Sequence, residues 1–460
     1  MQKPLPAKGT RDFESLQIYK RNYILDIIKK NFTNYGYFPL ETPSFEKTST
    51  LLGKYGDEGE RLIFKILKSG NFLKGLNPAE LDFEDVSKLG NNICDKALKY
   101  DLTVPFARYV SQNFNELILP FKRSQIQNVW RADKPQKGRF REFLQCDADV
   151  IGSKSLMQEI EFIYLFDNVF NDLNLNGCTI KLNNRKLLLG LCEILDCLDK
   201  FSILVNQLDK LDKVDNKKIK DNLKIKGFSS DQVDSIFDLI SKSKNIGSNM
   251  DIFKKFYEKS SIGVQGLNEL EFIFKYFSKQ KLLISNLVFD LSLARGIDYY
   301  TGVIFEVVQK DKSFGSIAGG GRYDNLTEIF GLNDTSGIGI SFGLDRIFLT
   351  LDELKLFPEF KSKMIKVLFT NFGSDYNEDI IKYTSALRNA DIIADFYPDS
   401  IPLKKQLKYA NQKEIPFVIL YGEEERKSKS LRLKNMKSGD QQELSIDQII
   451  SKLKKTATLQ

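Results

Sequence analysis

A chain of 460 residues is too long for one ordinary core, and with 42% apolar and 12% aromatic residues it has ample material to bury in two or three domains rather than remain disordered. Its formal net charge of +7 suits a polyanionic partner without by itself implying one. Histidine is absent altogether, which excludes Ser-His-Asp triads, Cys-His pairs, imidazole metal ligands and histidine general bases, so any chemistry must rest on carboxylates, arginines, tyrosines and backbone groups.

The stretch from Met1 to Asp12 has no apolar run of signal-peptide length, and no later window is apolar enough to span a membrane. The five cysteines (Cys94, Cys146, Cys178, Cys192 and Cys197) form no CxxC pair. They are expected to be free, small, buried thiols in a reducing, cytoplasmic setting.

Helical spacing of Leu16, Tyr19, Tyr23, Ile24, Ile27, Ile28 and Phe32 predicts a helix from Ser15 to Asn34, stopped by Gly36. An extended segment from Tyr37 to Glu46 follows. Residues 100–108 read as extended, with Asp101 and Thr103 two apart on one face. Phe121 to Gly152 reads as two strands around a turn at Pro135–Gly138, and Ser155 to Asn174 as a helix. From about Leu188 to Gln280 short amphipathic segments alternate with lysine-rich ones and glycine is sparse, which predicts a mainly helical insertion whose lysines form a solvated face. Strand and glycine signals return from Leu287 to Asp352, with a strand at Val303–Val307, a glycine-rich turn at Gly315–Asp324, and a strand entering a helix at Gly337–Phe348. From Ile365 onward, strand-like runs at Val367–Thr370, Ile392–Phe396 and Pro416–Tyr421 alternate with helical stretches at Asp379–Asn389 and Leu403–Gln412, the pattern of a small α/β domain.

The second strand of the hairpin carries the most chemistry. Alternation puts Arg139, Arg141, Phe143, Gln145, Asp147 and Asp149 on one face, over an underside of Phe140, Leu144, Cys146, Ala148 and Val150 that Glu142 interrupts. Arg131 and Asp133, at the end of the first strand, share a face. Arginine forks suit phosphate oxygens, an aromatic plane suits a base, and carboxylates suit an ammonium or imidazole donor. A surface hairpin decorated with ion pairs would use the same residues. Arg346 falls in the first turn of a helix, near its positive end, where anions are favoured.

Over nearly its whole length the sequence resembles the histidyl-tRNA synthetase family, in its eukaryotic-like branch. Lys8-Gly-Thr-Arg-Asp-Phe13 is similar to the family's N-terminal signature. The segment through Pro43 resembles class II motif 1, Arg131 through Gln145 motif 2, and Gly339 through Arg346 motif 3. Two elements resemble signatures of the histidine enzymes in particular: Leu293-Ala-Arg-Gly-Ile-Asp-Tyr-Tyr300 and Gly319-Gly-Gly-Arg-Tyr-Asp324.

The resemblance implies an α+β fold: a class II catalytic domain with an antiparallel sheet and flanking helices (1–187 and 286–360), a mainly helical insertion (188–285), and a C-terminal α/β anticodon-binding domain (364–460). It implies a homodimer that uses ATP with Mg²⁺ to activate histidine and load it onto histidine tRNA. No all-protein metal cage is expected. Asp101, Thr103 and Gln145 would hold the α-ammonium of histidine; Asp149 and Tyr300 would meet the two imidazole nitrogens, with Tyr299 and Tyr323 as walls. Arg131 would bind the α-phosphate and the amino acid carboxylate, and Arg295 would stabilise the charge growing on that phosphate. Phe143 and Arg346 would sandwich the adenine, which Asp133 would contact, with Arg139 and Arg141 at the outer phosphates. Gln136 is the candidate for reading the acceptor end of the tRNA. In the C-terminal unit, Lys404, Lys405, Lys408, Lys427, Lys429, Arg432 and Lys434 supply charge, with Tyr409 and Tyr421 as stacking planes for RNA bases. A catalytically silent paralogue with a regulatory or sensing role is the alternative, and the retained Arg131, Arg295 and Arg346 argue against it.

Overall fold

The computed structural model describes residues 3–53, 55, 61–74, 86–211, 214–243, 246–294, 299–310, 314–360 and 364–458, and divides into two compact units at Phe357/Pro358.

The first unit is built on an eight-stranded sheet. Its strands are β1 (Phe38–Pro39), β5 (Phe121–Trp130), β6 (Glu142–Ile151), β7 (Cys178–Asn184), β8 (Asn286–Phe289), β9 (Val303–Gln309), β10 (Ala318–Arg322) and β11 (Gly337–Gly343). They lie in the order β1-β5-β6-β11-β10-β9-β7-β8, antiparallel except for the β1/β5 and β7/β8 pairs. A second sheet has β4 (Cys94–Leu98) between β2 (Phe45–Lys47) and β3 (Lys65–Leu67). Alternation along β6 sends Cys146, Ala148 and Val150 to a core shared with the helices Ser15–Asn34 and Met157–Asp172. Phe342 of β11 is ringed there by Phe32, Phe166 and Phe170, at centroid distances of 5.4 to 6.0 Å.

Helices run from Arg185 to Phe277, as the sparse glycine and amphipathic spacing predict. The first and last of them, Arg185–Ile194 and Ser261–Phe277, approach closely: a Cβ on Gly190 would lie 2.7 Å from the Cα of Gly263. All five cysteines are buried and unpaired.

The glycine-rich segment departs from expectation. Ala318–Arg322 is not a turn but the fully buried strand β10, between β9 and β11. Glycine is normally depleted in strands because it has nothing to pack, and it marks places where another group comes close. Residues 100–108 depart as well. Thr103 opens the helix Thr103–Asn113, so Asp101 and Thr103 do not alternate along an extended chain. The Asp101 carboxylate accepts from the Val104 N–H at 3.1 Å, as an acidic side chain ahead of a helix commonly does.

The second unit has a five-stranded sheet ordered β13 (Ala394–Phe396), β12 (Val367–Phe369), β14 (Phe417–Leu420), β15 (Leu431–Asn435) and β16 (Gln441–Leu444), the first three parallel. Val367, Phe369 and Ile419 pack on one face with Ile380, Leu387 and Leu453; Leu368 and Val418 pack on the other with Ala410 and Ile415. Tyr421 is buried between Tyr376 and Tyr383, its hydroxyl donating to Asp379 at 2.9 Å. It belongs to this core and offers no surface to a base. Among the described residues of the chain, no helix is long and apolar enough to cross a membrane.

Candidate active site

On the face of the large sheet opposite the phenylalanine core, three strands carry polar side chains in matched rows. Arg123 pairs with Asp149, Gln125 with Asp147, and Gln127 with Gln145 across β5 and β6. β11 continues the rows with Gly339 beside Asp149, Ser341 beside Asp147 and Gly343 beside Gln145, and β10 sets Gly321 beside Gly339. Residues directly opposite on neighbouring strands share a face, so each row is one line of contact.

Glycine makes the first row possible. A Cβ on Gly339 would stand 2.0 Å from Asp149 Oδ1, and one on Gly321 would stand 2.8 Å from the Tyr300 ring. The carboxylate and the phenol ring occupy space that side chains would otherwise fill. Tyr300 thus lies about two inter-strand spacings, roughly 10 Å, from Asp149.

Asp149 is fully enclosed. Tyr323 donates to its Oδ1 at 2.5 Å, and Arg123 Nη2 lies 2.9 Å from its Oδ2. Burial pushes its pKa up, opposed first by the Arg123 charge and then by the Tyr323 hydrogen bond. Asp147, one position along the same face, is pushed up to about 7 by burial, with Arg123 opposing and Asp149 adding to the rise. Gln145 Nε2 donates to Ser341 Oγ at 3.1 Å and reaches Asp147 Oδ1 at 3.4 Å. Tyr299 packs edge-on against Tyr300 and Tyr323, at 4.9 and 6.1 Å between centroids.

A second cluster adjoins this one through Tyr299, whose hydroxyl donates to Asp101 Oδ2 at 3.2 Å. Tyr55 donates to Asp101 Oδ1 at 2.8 Å, and Thr103 hydrogen-bonds Tyr299. Burial raises the Asp101 pKa, opposed by the Val104 N–H, the Tyr55 hydroxyl, the Arg131 charge and the Tyr299 hydroxyl. Arg131 Nε donates to Tyr100 O at 3.0 Å. Its guanidinium lies 4.3 Å from the Tyr100 ring centroid and 5.3 Å from that of Phe143.

β5 ends at Trp130 and β6 begins at Glu142, so Arg131, Asp133, Arg139 and Arg141 lie in the connection between the strands, not on their faces as strict alternation implied. The chain's N-terminal segment inserts there: Arg141 N donates to Gly9 O at 2.9 Å, and Arg11 stacks on Phe140 at 3.2 Å. Gln136 and Arg139 pair across the tip, and Arg139 Nη1 reaches Asp133 at 3.4 Å. Arg346, third residue of the helix Leu344–Glu353, donates to Gly138 O at 3.2 Å and Ser316 O at 2.6 Å, which ties that helix to the turn. Arg295 lies outside the described residues, as do Gly296, Ile297 and Asp298.

Sequence reading passed over Arg123, Tyr55 and Ser341 and gave Asp147 no role. The signal for Arg123 was present: Arg123, Gln125 and Gln127 alternate along β5 as Gln145, Asp147 and Asp149 do along β6. Only the register pairs them.

The chain matches the histidyl-tRNA synthetase family model over residues 91–347 and the anticodon binding domain model over residues 366–456. It is 52% identical to the histidine–tRNA ligase of Christiangramia forsetii over 454 residues, covering 98% of this chain and 100% of that one. It is 48% identical to the histidine–tRNA ligase of Flavobacterium johnsoniae, with 99% of each covered. Among solved structures it resembles histidyl-tRNA synthetase from Nostoc sp. PCC 7120, with a TM-score of 0.75 and 26% identity, covering 99% of this chain and all of that one. Fold and relatives agree, and the chain belongs to the histidyl-tRNA synthetase family.

Proposed function

We propose that the pocket of this histidine–tRNA ligase binds histidine over β6, β10 and β11 and ATP at the β5–β6 connection, with their reacting groups meeting near Arg131. The observation that carries this reading is the row Arg123–Asp149–Gly339–Gly321, in which the missing side chains of Gly339 and Gly321 make room for a buried carboxylate and for the Tyr300 ring. Asp149 would accept a hydrogen bond from one imidazole nitrogen and Tyr300 would contact the other. Tyr299 and Tyr323 wall the ring. Asp101, Thr103 and Gln145 would hold the α-ammonium. Enclosed groups that need an imidazole are left unpaired by another side chain, which penalises competitors.

Arg131 would hold the α-phosphate and the histidine carboxylate together, and Arg295 would stabilise charge on that phosphate. Phe143 and Arg346 would enclose the adenine, with Asp133 beside it. Arg139 and Arg141 would meet the outer phosphates of ATP, used as its Mg²⁺ complex. The carboxylate attacks the α-phosphate in line, giving histidyl-adenylate and pyrophosphate; a terminal ribose hydroxyl of the tRNA then attacks the acyl carbon and releases AMP. Positioning and preorganised charge supply the catalysis. Gln136, at the exposed tip of the hairpin connection, would meet the acceptor end of the tRNA.

Residues 188–285 are read as an insertion between catalytic segments 1–187 and 286–360, and 364–460 as the unit that meets the anticodon. The chain would work as a homodimer. ATP–pyrophosphate exchange with histidine, threonine, proline and glycine tests the reading. Exchange with histidine alone supports it, whereas no exchange with any of the four would favour a silent paralogue.

A further inference from the structure

We propose that Arg123 is a positioning residue for histidine selection: its buried guanidinium holds Asp149 as the anion that receives the imidazole N–H. This rests on the reading that Asp149 meets the imidazole.

Arg123 is the largest fully buried side chain among the described residues, and it comes from β5, outside the elements assigned to substrate. Its Nη2 lies 2.9 Å from Asp149 Oδ2 and donates to Leu102 O at 3.1 Å. Its plane stands 4.3 Å from the Phe106 ring. Nε and Nη1 have no acceptor among the described residues. A guanidinium buried with three of its five N–H donors unused is costly to keep for stability alone, because an apolar side chain of similar volume commonly serves as well or better. Its consequence is electrostatic. Asp149 is a carboxylate removed from water, a setting that favours the neutral acid, and the adjacent fixed cation opposes that.

The charge matters for recognition. An anionic Asp149 can accept from Tyr323 and from an imidazole N–H together. A protonated one would present a donor toward the ring on one oxygen. Asp147 competes for the same cation, but its cross-strand neighbour is Gln125, and Arg123 sits opposite Asp149. Two like charges beside one cation do not both ionise easily, so Asp147 takes the proton first. Among the described residues, the other titratable groups around this site are Asp101, Tyr299, Tyr300 and Tyr323, together with Lys99, whose Nζ is held by Thr42 O and Gln127 Oε1 beyond the Asp147 row; Tyr37 lies on the core side of the sheet.

The test is histidine-dependent ATP–pyrophosphate exchange from pH 6 to pH 9, with KM measured separately for histidine and ATP. Arg123→Met is expected to raise the histidine KM roughly 10- to 100-fold near pH 7, leave the ATP KM within about twofold, and recover as pH rises and Asp149 ionises. Arg123→Lys, which keeps a cation, should restore most of the loss. Should Arg123→Met fail to fold, Arg123→Lys carries the test through a smaller rise in histidine KM with the same pH trend. Equal losses for histidine and ATP at every pH, or no loss in either variant, would overturn the proposal. Asp149→Asn separates the two levels: if it leaves the histidine KM unchanged, the pocket reading itself fails.

Discussion

Gly339 stands across the β6–β11 ladder from Asp149, so close that a Cβ there would sit 2.0 Å from the carboxylate oxygen. The Asp149 side chain occupies the place of its neighbour's missing one. Gly339→Ala is therefore expected to displace Asp149 and raise the histidine KM roughly 10-fold or more. Overpacking should also cost about 1–3 kcal/mol of stability. Exchange kinetics and thermal denaturation measure both effects, and an unchanged histidine KM would refute the first.

Asp147 supplies a prediction about pH. Its pKa rises from 3.8 to about 7 in the folded protein, so the folded state binds that proton more tightly than the unfolded one. Its contribution to stability is therefore present at low pH and is lost as pH rises through that interval. Asp147→Asn stays neutral throughout and is expected to gain about 2–4 kcal/mol on wild type between pH 4 and pH 8. Urea denaturation across that range checks it; parallel stability curves for the two proteins would count against it. The same variant should bind histidine nearly as well as wild type at pH 7, unlike Asp149→Asn.

Arg322 and Glu159 form a buried ion pair beneath the glycine strand. Arg322 Nε and Nη2 donate to the two Glu159 oxygens at 2.6 and 2.8 Å, and Nη1 donates to Ser336 Oγ at 2.6 Å. The pair anchors β10 immediately before Tyr323. Glu159→Ala takes from the buried Arg322 the partner that accepts on two oxygens, leaving Asp324 Oδ1 at 3.7 Å, and is expected to cost about 3 kcal/mol, read as a lower urea midpoint. A loss under about 1 kcal/mol would show that solvent reaches the pair after all.

Arg295→Lys keeps the charge assigned to the α-phosphate but loses the planar fork. Adenylate formation should fall about 100-fold or more, with substrate KM values little changed. Near-normal ATP–pyrophosphate exchange in this variant would remove Arg295 from its assigned role.

Much of the architecture was legible in local pattern. The Ser15–Asn34 helix has the bounds its apolar spacing indicates, and the C-terminal alternation of strands and helices is the observed order. Both are consequences of side-chain periodicity within one short segment. The polar face of β6 was legible for the same reason. Where a reading needed a partner from elsewhere, it went astray. The glycines of β10 looked like a turn because what they make room for, Tyr300 among it, arrives from another segment. Tyr421 looked like a surface stacking ring because Asp379, Tyr376 and Tyr383 reach it only through the fold.

Thus the chain's own order of residues specified which segments become helices and strands, and its motifs pointed to histidine activation. The fold alone decided that Arg123, Asp149, Gly339 and Gly321, spread over some 200 residues, form one row. Cross-strand register is set by long-range pairing and burial, and a one-residue slip in any of those ladders would turn that strand's side chains to the opposite face.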